Sequence, residues 1–406
     1  MDFADSPDEA TFRADVRAWL AGNAGAYVAP PLIPWSETEL VARGRAWLAT
    51  KADAGYAAIT WPKELGGRGG SAIEAMIFAE EESRYHLPIA PFATIGMNMA
   101  MPAILKHGTP EQVSRFAQAT RTGELIWCQL FSEPGAGSDL AAVRTRAVRN
   151  GDRWIVNGQK VWSSWAHHAD WGILLARTDA GVPKHKGLGF FLVDMTSPGI
   201  DIRPIRQING KSDFNETFLT DLVIPDTCRL GGDHEGWAVA MTVLTGERLN
   251  SGEEAGGIRA LIDIARAMPL GTGNVLDAGS ARERLATLYA REQGERFLRF
   301  RLLTRMARGE PLGAEAAAIK LVYASRLQQA SGFGLEMAGF ASAAMPSAEK
   351  HKLAILEDYM WAPAMRIAGG ADEVLRNQIA ERVLGMPGDL RLDKDVPFDA
   401  LDRRDV

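Results

Sequence analysis

The sequence predicts an α+β chain in three parts. A helical N-terminal part comes first, then a middle β domain of the small antiparallel barrel or sandwich type, then a C-terminal helical bundle. Three observations carry the prediction. Residues 1–122 hold repeated capping boxes, each followed by apolar residues at helical spacing. From 123 to 232 the pattern switches to short apolar or alternating runs broken by Asn-Gly and Pro turns. From 233 to 390 long helical patterns return, and 391–406 is a charged, extended tail.

Ser6-Pro7-Asp8-Glu9 is a capping box with proline at the first helical position, and Phe12, Val16, Trp19 and Leu20 then share one face. Ser36-Glu37-Thr38-Glu39 opens a second helix ending near Gly55, and Ser71-Ala72-Ile73-Glu74 a third. A Met-rich helix from about Pro91 to Lys106 is apolar all round, which marks it as buried. Thr109-Pro110-Glu111-Gln112 opens the next. In the β part, 143–149 alternates, and Asn150-Gly151 and Asn157-Gly158 read as turns on either side of Trp154-Ile155-Val156. Runs 171–177, 188–194 and 214–224 have strand length. Helices are then expected over about 237–267, 280–308, 312–340, 349–364 and 371–385, with a Gly-rich connection between 268 and 279. The two helical parts can pack into one body.

The 406 residues are 46% hydrophobic and 24% charged, with a net charge of -6. This is ordinary globular composition, and the basic residues are not clustered as nucleic-acid binding requires. No apolar run reaches the roughly 18 residues of a membrane helix, and the acidic N-terminus does not read as a signal peptide. Cys128 and Cys228, both in apolar strand-like contexts, are expected as buried thiols in a reducing cytoplasm. No His/Cys spacing resembles a zinc site, His167-His168 included.

The densest chemical signal is Phe131-Ser-Glu-Pro-Gly-Ala-Gly-Ser-Asp139. Its Pro-Gly-Ala-Gly core can continue neither a helix nor a central strand, and its small residues let backbone approach something bulky. Three further blocks follow in order: Asn157-Gly-Gln-Lys-Val-Trp-Ser-Ser164 with Ala169-Asp170, Phe214 to Pro225, and Gly369-Gly-Ala-Asp-Glu-Val-Leu-Arg-Asn377 running to Pro387. With these four blocks the chain resembles the acyl-CoA dehydrogenase family of FAD enzymes over about residues 10 to 388.

A flavin needs an apolar or aromatic wall, donors at its polar edge and a close-fitting loop at its phosphates. The resemblance implies that Phe131 and Ser132 contact the isoalloxazine, Ser132 at its pyrimidine edge. Gly137 and Ser138 meet the pyrophosphate, with Ser138 also beside the pantetheine arm of acyl-CoA. Trp162 packs near the ring and Ser164 lies close to N5. Trp154, Trp165 and Trp171 are left to the core.

Dehydrogenating a thioester requires a base at the α-carbon, a hydride acceptor at the β-carbon and a hydrogen bond to the carbonyl. The family places the catalytic Glu in one of two slots. One of them is Gly369 here and carries no base, although its backbone N–H is implied to meet the thioester carbonyl. The other, on the helix after the β domain, holds Glu247-Arg248. Glu247 is therefore the expected base and Arg248 the residue facing the CoA arm, while Glu253 and Glu254 read as surface. The implied reaction yields trans-2-enoyl-CoA and passes electrons to an electron-transferring flavoprotein.

Some family features are missing. There is no Arg-x-x-Phe-Gly block, Leu335 to Phe340 replaces a Gly-Gly-x-Gly segment, and Gly370-Ala371 replaces Gly-Thr. Two explanations stand. Either FAD is bound by other residues such as Arg282 or Arg284 in a homo-oligomer, or the chain is half of a heterotetramer with a homologous subunit, as in relatives acting on sterol side chains. A flavin-poor partner subunit, or a monooxygenase or desulfinase on the same fold, is the alternative function. Met97, Met99, Ala100 and Met101 suit either a wide, adaptable acyl pocket or a plain buried helix.

Overall fold

A computed structural model describes residues 5–28, 35–85, 87–88, 92–249, 257–308, 310, 313–339, 350–391 and 393–401. All four capping boxes form. They open α1 (Pro7–Asn23), α2 (Glu37–Asp53), α3 (Ala72–Glu82) and α6 (Pro110–Arg121), and in each the Ser or Thr hydroxyl accepts from the third helical N–H. Between α3 and α6, α4 (Phe92–Ile95), a π-helical turn (Gly96–Ala100) and α5 (Met101–His107) run end to end.

The middle part is one curled seven-stranded sheet: β1 (Trp127–Leu130), β2 (Arg146–Asn150), β3 (Arg153–Ser164), β4 (Trp171–Arg177), β5 (Leu188–Asp194), β6 (Ile200–Ile205) and β7 (Phe214–Pro225). The expected Asn150-Gly151 hairpin joins β2 to β3, with Gly151 at φ 64°. Pairing is mostly antiparallel, but β1 runs parallel to β4. More than a dozen residues separate these two strands, which leaves room for the crossover that parallel pairing demands.

Asn157-Gly158 is not a turn. β3 runs through it, with a register shift between Val156 and Gly158 against β7. A Cβ at Gly158 would lie 2.7 Å from the Thr145 Cα, so the glycine serves a close backbone approach. The Asn157 side chain bonds Asp221 across the sheet at 3.0 Å and 2.8 Å.

The helical pattern resumes in α7 (Gly236–Leu249) and α8 (Gly257–Ala267); Glu253 and Glu254 lie outside the described residues. The Gly-rich connection forms a two-residue-strand hairpin, β8 (Pro269–Leu270) with β9 (Gly273–Asn274). Then come α9 (Gly279–Ala307), α10 (Ala316–Ala338), α11 (Lys350–Met365) and α12 (Asp372–Arg382).

The two helical parts do pack together. Arg296 on α9 reaches Glu80 on α3 at 2.7 Å, and α7 packs on α5 and the π-helical turn. The main core joins that turn, β1, β4, β5 and α7. Met97, Met99, Ala100 and Met101 are all buried in it. A second core of Phe12, Trp47, Tyr56 and Phe78 holds the N-terminal helices, and Trp19 packs on it. Both cysteine thiols are buried as expected, and burial pushes the Cys128 thiol up.

The tail does not trail away. Lys184 pairs with Asp393 at 2.5 Å, Phe398 N–H donates to the Val182 carbonyl at 2.9 Å, and the Phe398 ring lies 3.9 Å from the buried Arg177 guanidinium. Among the described residues the tail ends in a short helix, α13 (Phe398–Leu401). It is charged, but it is docked on the β domain because that domain offers it a cation and a free backbone edge.

Candidate active site

The first two sequence blocks meet at the end of β1. Val161 N–H donates to the Ser132 carbonyl at 2.9 Å, which sets Ser132 beside the neighbour of Trp162. Below them is a buried ion pair that the sequence reading missed. Lys160 is fully buried, and its Nζ reaches Glu133 Oε1 at 2.8 Å, the Phe131 carbonyl at 2.9 Å and the Leu175 carbonyl at 2.8 Å. Glu133 also accepts from Arg144 N–H at 2.6 Å and Thr145 N–H at 2.8 Å.

Each remaining donor and acceptor of the pair is thus occupied, which a buried ion pair requires. Burial pushes Lys160 down to about 8 although Glu133 opposes the shift. Burial works to raise Glu133, but the Lys160 charge and the N–H donors hold it below the usual carboxylate range. A signal existed: strand alternation from Trp154 and Val156 puts Lys160 on the inward face.

The outer end of the loop is tied as well. Asp139 pairs with Lys184 at 2.6 Å, the same lysine that holds Asp393. Arg177 donates to the Ala141 and Val143 carbonyls just after the loop. Between these ties Gly137 and Ser138 are exposed. The loop borders a cavity of about 260 Å³ lined by Glu133, Pro134, Ala136, Arg144 and Thr145.

Trp162 is the most unusual residue here. It sits at a bulge in β3, with a register shift between Lys160 and Ser163, and its φ is 61°. A bulky residue in the left-handed region costs roughly 1–3 kcal/mol and persists where its surroundings enforce it. The bulge turns the indole outward, leaving it 58% exposed. Ser164 and Ser132 are half-buried.

An open indole face with two hydroxyls nearby fits a planar ring that is apolar on its faces and polar at its edge, as FAD's is. The Phe131 side chain, just before Ser132, is buried. The ring is buried 5.7 Å from that of Phe190, because it continues the core-facing side of β1. Trp154 and Trp171 are buried as expected, and Trp165 is half-buried against His167.

The third and fourth blocks close on the same region. Ser164 pairs in register with Phe214, the first residue of β7, and Trp162 meets the Phe214 ring edge-on at 5.9 Å. Phe214 in turn stacks on Trp361 of α11 at 5.8 Å and 7°. That helix leads into Gly369 and Gly370, at φ 66° and 105°, conformations that favour glycine. The buried Lys320 on α10 donates to the Gly370 carbonyl at 2.6 Å, and α10 packs on α7.

Glu247 and Arg248 lie in the last turn of α7. The approach of that helix is set by two glycines. A Cβ on Gly236 would lie 2.6 Å from the Leu188 carbonyl carbon, and one on Gly246 would overlap the Asn98 carbonyl oxygen. The residue before Glu247 is thus seated directly on the π-helical turn, an irregularity often found at functional sites.

The two arginines considered for the adenine end of FAD already have partners. Arg282 donates to the Leu276 and Asp277 carbonyls at 2.7 Å and 3.1 Å. Arg284 pairs with Glu336 and lies 4.2 Å from the Phe333 ring. Arg284 thereby ties the start of α9 to the segment that stands in place of the Gly-Gly-x-Gly.

Comparison with known proteins agrees with this arrangement. Residues 6–124, 128–222 and 234–384 match the acyl-CoA dehydrogenase N-terminal, middle and C-terminal domain models. The chain is 38% identical over 389 residues to "Acyl-CoA dehydrogenase IpdE1" of Mycobacterium tuberculosis, covering 94% of this chain and 98% of that one. It is 40% identical over 339 residues to "Acyl-CoA dehydrogenase FadE34" of the same organism, covering 83% of this chain but only 45% of that relative.

Among solved structures, the ChsE4-ChsE5 complex from Mycobacterium tuberculosis matches with a TM-score of 0.81 at 28% identity, over 96% of this chain and 100% of that one. The "Tcur3481-Tcur3483 steroid ACAD" matches at 0.79 and 27%, over 96% and 100%. From the four converging blocks, the three domain matches and the full-length relative, the chain belongs to the acyl-CoA dehydrogenase family, oxidoreductases acting on acyl-CoA.

Proposed function

We propose that this chain oxidises an acyl-CoA thioester to the trans-2-enoyl-CoA, with Glu247 as the base that removes the α-proton. The observation that carries the reading is the seating of α7 by Gly246 on the π-helical turn. It fixes the backbone beside Glu247 while the alternative base slot is a glycine. The Gly369 N–H donates to the thioester carbonyl and stabilises the developing enolate. Arg248 faces the CoA arm. FAD, when bound, supplies the electron-accepting ring that takes up the β-hydride.

Phe131 and Ser132 would contact that ring, Ser132 at its polar pyrimidine edge, Trp162 would pack near it, and Ser164 would lie close to N5. Gly137 and Ser138 hold the pyrophosphate, with Ser138 shared by the pantetheine arm. An electron-transferring flavoprotein is the proposed acceptor. The likeness to a steroid ACAD supports a bulky, steroid-type acyl group.

Pairing with a homologous subunit is the assembly we favour over a homo-oligomer. The ion pair between Arg284 and Glu336 engages the region where the adenine end would be expected, and two similar structures are of two-protein complexes. The test of the base is Glu247→Gln. The variant is expected to retain flavin and to lose anaerobic bleaching by acyl-CoA; bleaching at the parental rate would remove Glu247 from the role.

A further inference from the structure

A second constellation lies away from the dehydrogenation site. Among the described residues, one group of three metal-ligating side chains converges: Glu37, His167 and His168, with ligand atoms all within 4.8 Å of one another. His167 Nε2 lies 2.5 Å from Glu37 Oε1, and His168 Nε2 lies 3.0 Å from that same oxygen. His168 Nε2 is buried and makes no hydrogen bond despite facing a carboxylate oxygen. The two imidazoles lie 4.3 Å apart, tilted by 46°, so both rings turn an edge toward one point.

Two independently fixed elements hold these groups. Glu37 opens α2, where the Ser36–Glu39 capping box anchors the backbone. The histidines lie in a single 3₁₀ turn after β3, Ala166–His168, entered through Trp165 at φ 55°. Trp165 stacks on His167 at 6.0 Å and 18°, fixing the plane of that ring, and its N–H donates to the Asp213 carbonyl at 2.7 Å.

We propose that Glu37, His167 and His168 bind one divalent transition-metal cation, of the zinc type, that staples the N-terminal helices to the strand carrying Trp162 and Ser164. Two imidazole nitrogens and a carboxylate are a ligand set suited to zinc, copper or nickel, with solvent completing a tetrahedron. Ligand atoms about 2.0–2.1 Å from zinc stand about 3.4 Å apart. The Glu37 oxygen therefore needs to draw back from each histidine nitrogen by less than an ångström. Glu37 is half-exposed, which gives the ion an entry path.

The test uses the full chain, freed of metal with a chelator and titrated with zinc chloride alone by calorimetry. One equivalent is expected to bind at micromolar Kd or tighter. His168→Gln and Glu37→Gln are expected to weaken it at least tenfold, and zinc should raise the Tm of the parent but not of the variants. A measurement without variants supports the same decision: zinc should protect His167 and His168 of the parent from diethylpyrocarbonate, read by peptide mass spectrometry. Absence of saturable binding, equal binding by the variants, or no protection would each overturn the site.

Discussion

Lys160 and Glu133 lie inside the two blocks that mark the flavin region, yet both face the interior. Removing one charge leaves the other buried and alone, which typically costs about 3–5 kcal/mol. Lys160→Met is therefore expected to lower the denaturation free energy by that amount, measured by urea titration. Acid should erase part of the benefit. The folded Glu133 carboxyl is held below its ordinary 4.5. Its contribution is then fully present above about 4.5 and is lost as pH falls through the lower folded value. The stability gap between the parent and Glu133→Gln is expected to be widest at neutral pH and to shrink below pH 4.5; a gap that does not change across this range would contradict the ion pair. Trp162→Gly relieves a strained φ, since only a residue without Cβ takes up φ 61° freely, while deleting the open indole. It is expected to keep or raise the Tm and to weaken flavin retention about tenfold, followed by flavin absorbance after gel filtration.

At the scale of elements, α7 depends on Gly246. A methyl group there pushes the helix away from the Asn98 carbonyl, and such overpacking costs about 1–3 kcal/mol. Because the displaced segment carries Glu247, Gly246→Ala is expected to slow anaerobic flavin reduction at least tenfold while the far-ultraviolet circular dichroism stays unchanged; a parental rate would mean the seat is not needed. Helix starts were legible in the sequence because a capping box is complete within four residues. Asn157-Gly158 was misread because its role is set by Thr145 on a neighbouring segment, which no local pattern reveals. The parallel β1–β4 pair was hidden for the same reason. The family itself was legible in the order and spacing of the four blocks. Alternation put Lys160 on the inward face, but its Glu133 partner, the α7 seat and the glutamate–histidine cluster were not legible, since each depends on partners tens to hundreds of residues away.

At the scale of the molecule, the described helices include none long and apolar enough to cross a membrane, and the two helical parts form one body around the sheet. The docked tail links the last described residues to the loop of the first block through Lys184 and Arg177. Phe398→Ala removes the ring facing Arg177 and is expected to cost about 1–2 kcal/mol. Limited proteolysis should then cut near residue 393 and in the Pro134–Asp139 loop sooner than in the parent; cleavage confined to the tail would show that the loop does not depend on it.

That link has a consequence for the order of folding. Asp139 leaves the ribosome roughly 250 residues before Asp393 and Phe398. Lys184 and Arg177, which fasten the loop's outer end, are made within about 45 residues of Asp139, but at about 5–20 residues per second they wait on the order of tens of seconds for their own tail contacts. During that interval Lys160 and Glu133 can already brace its base, since both are made early. The outer end of the loop is therefore tied early to Lys184 and Arg177, and the tail secures these two residues only after synthesis has passed residue 398.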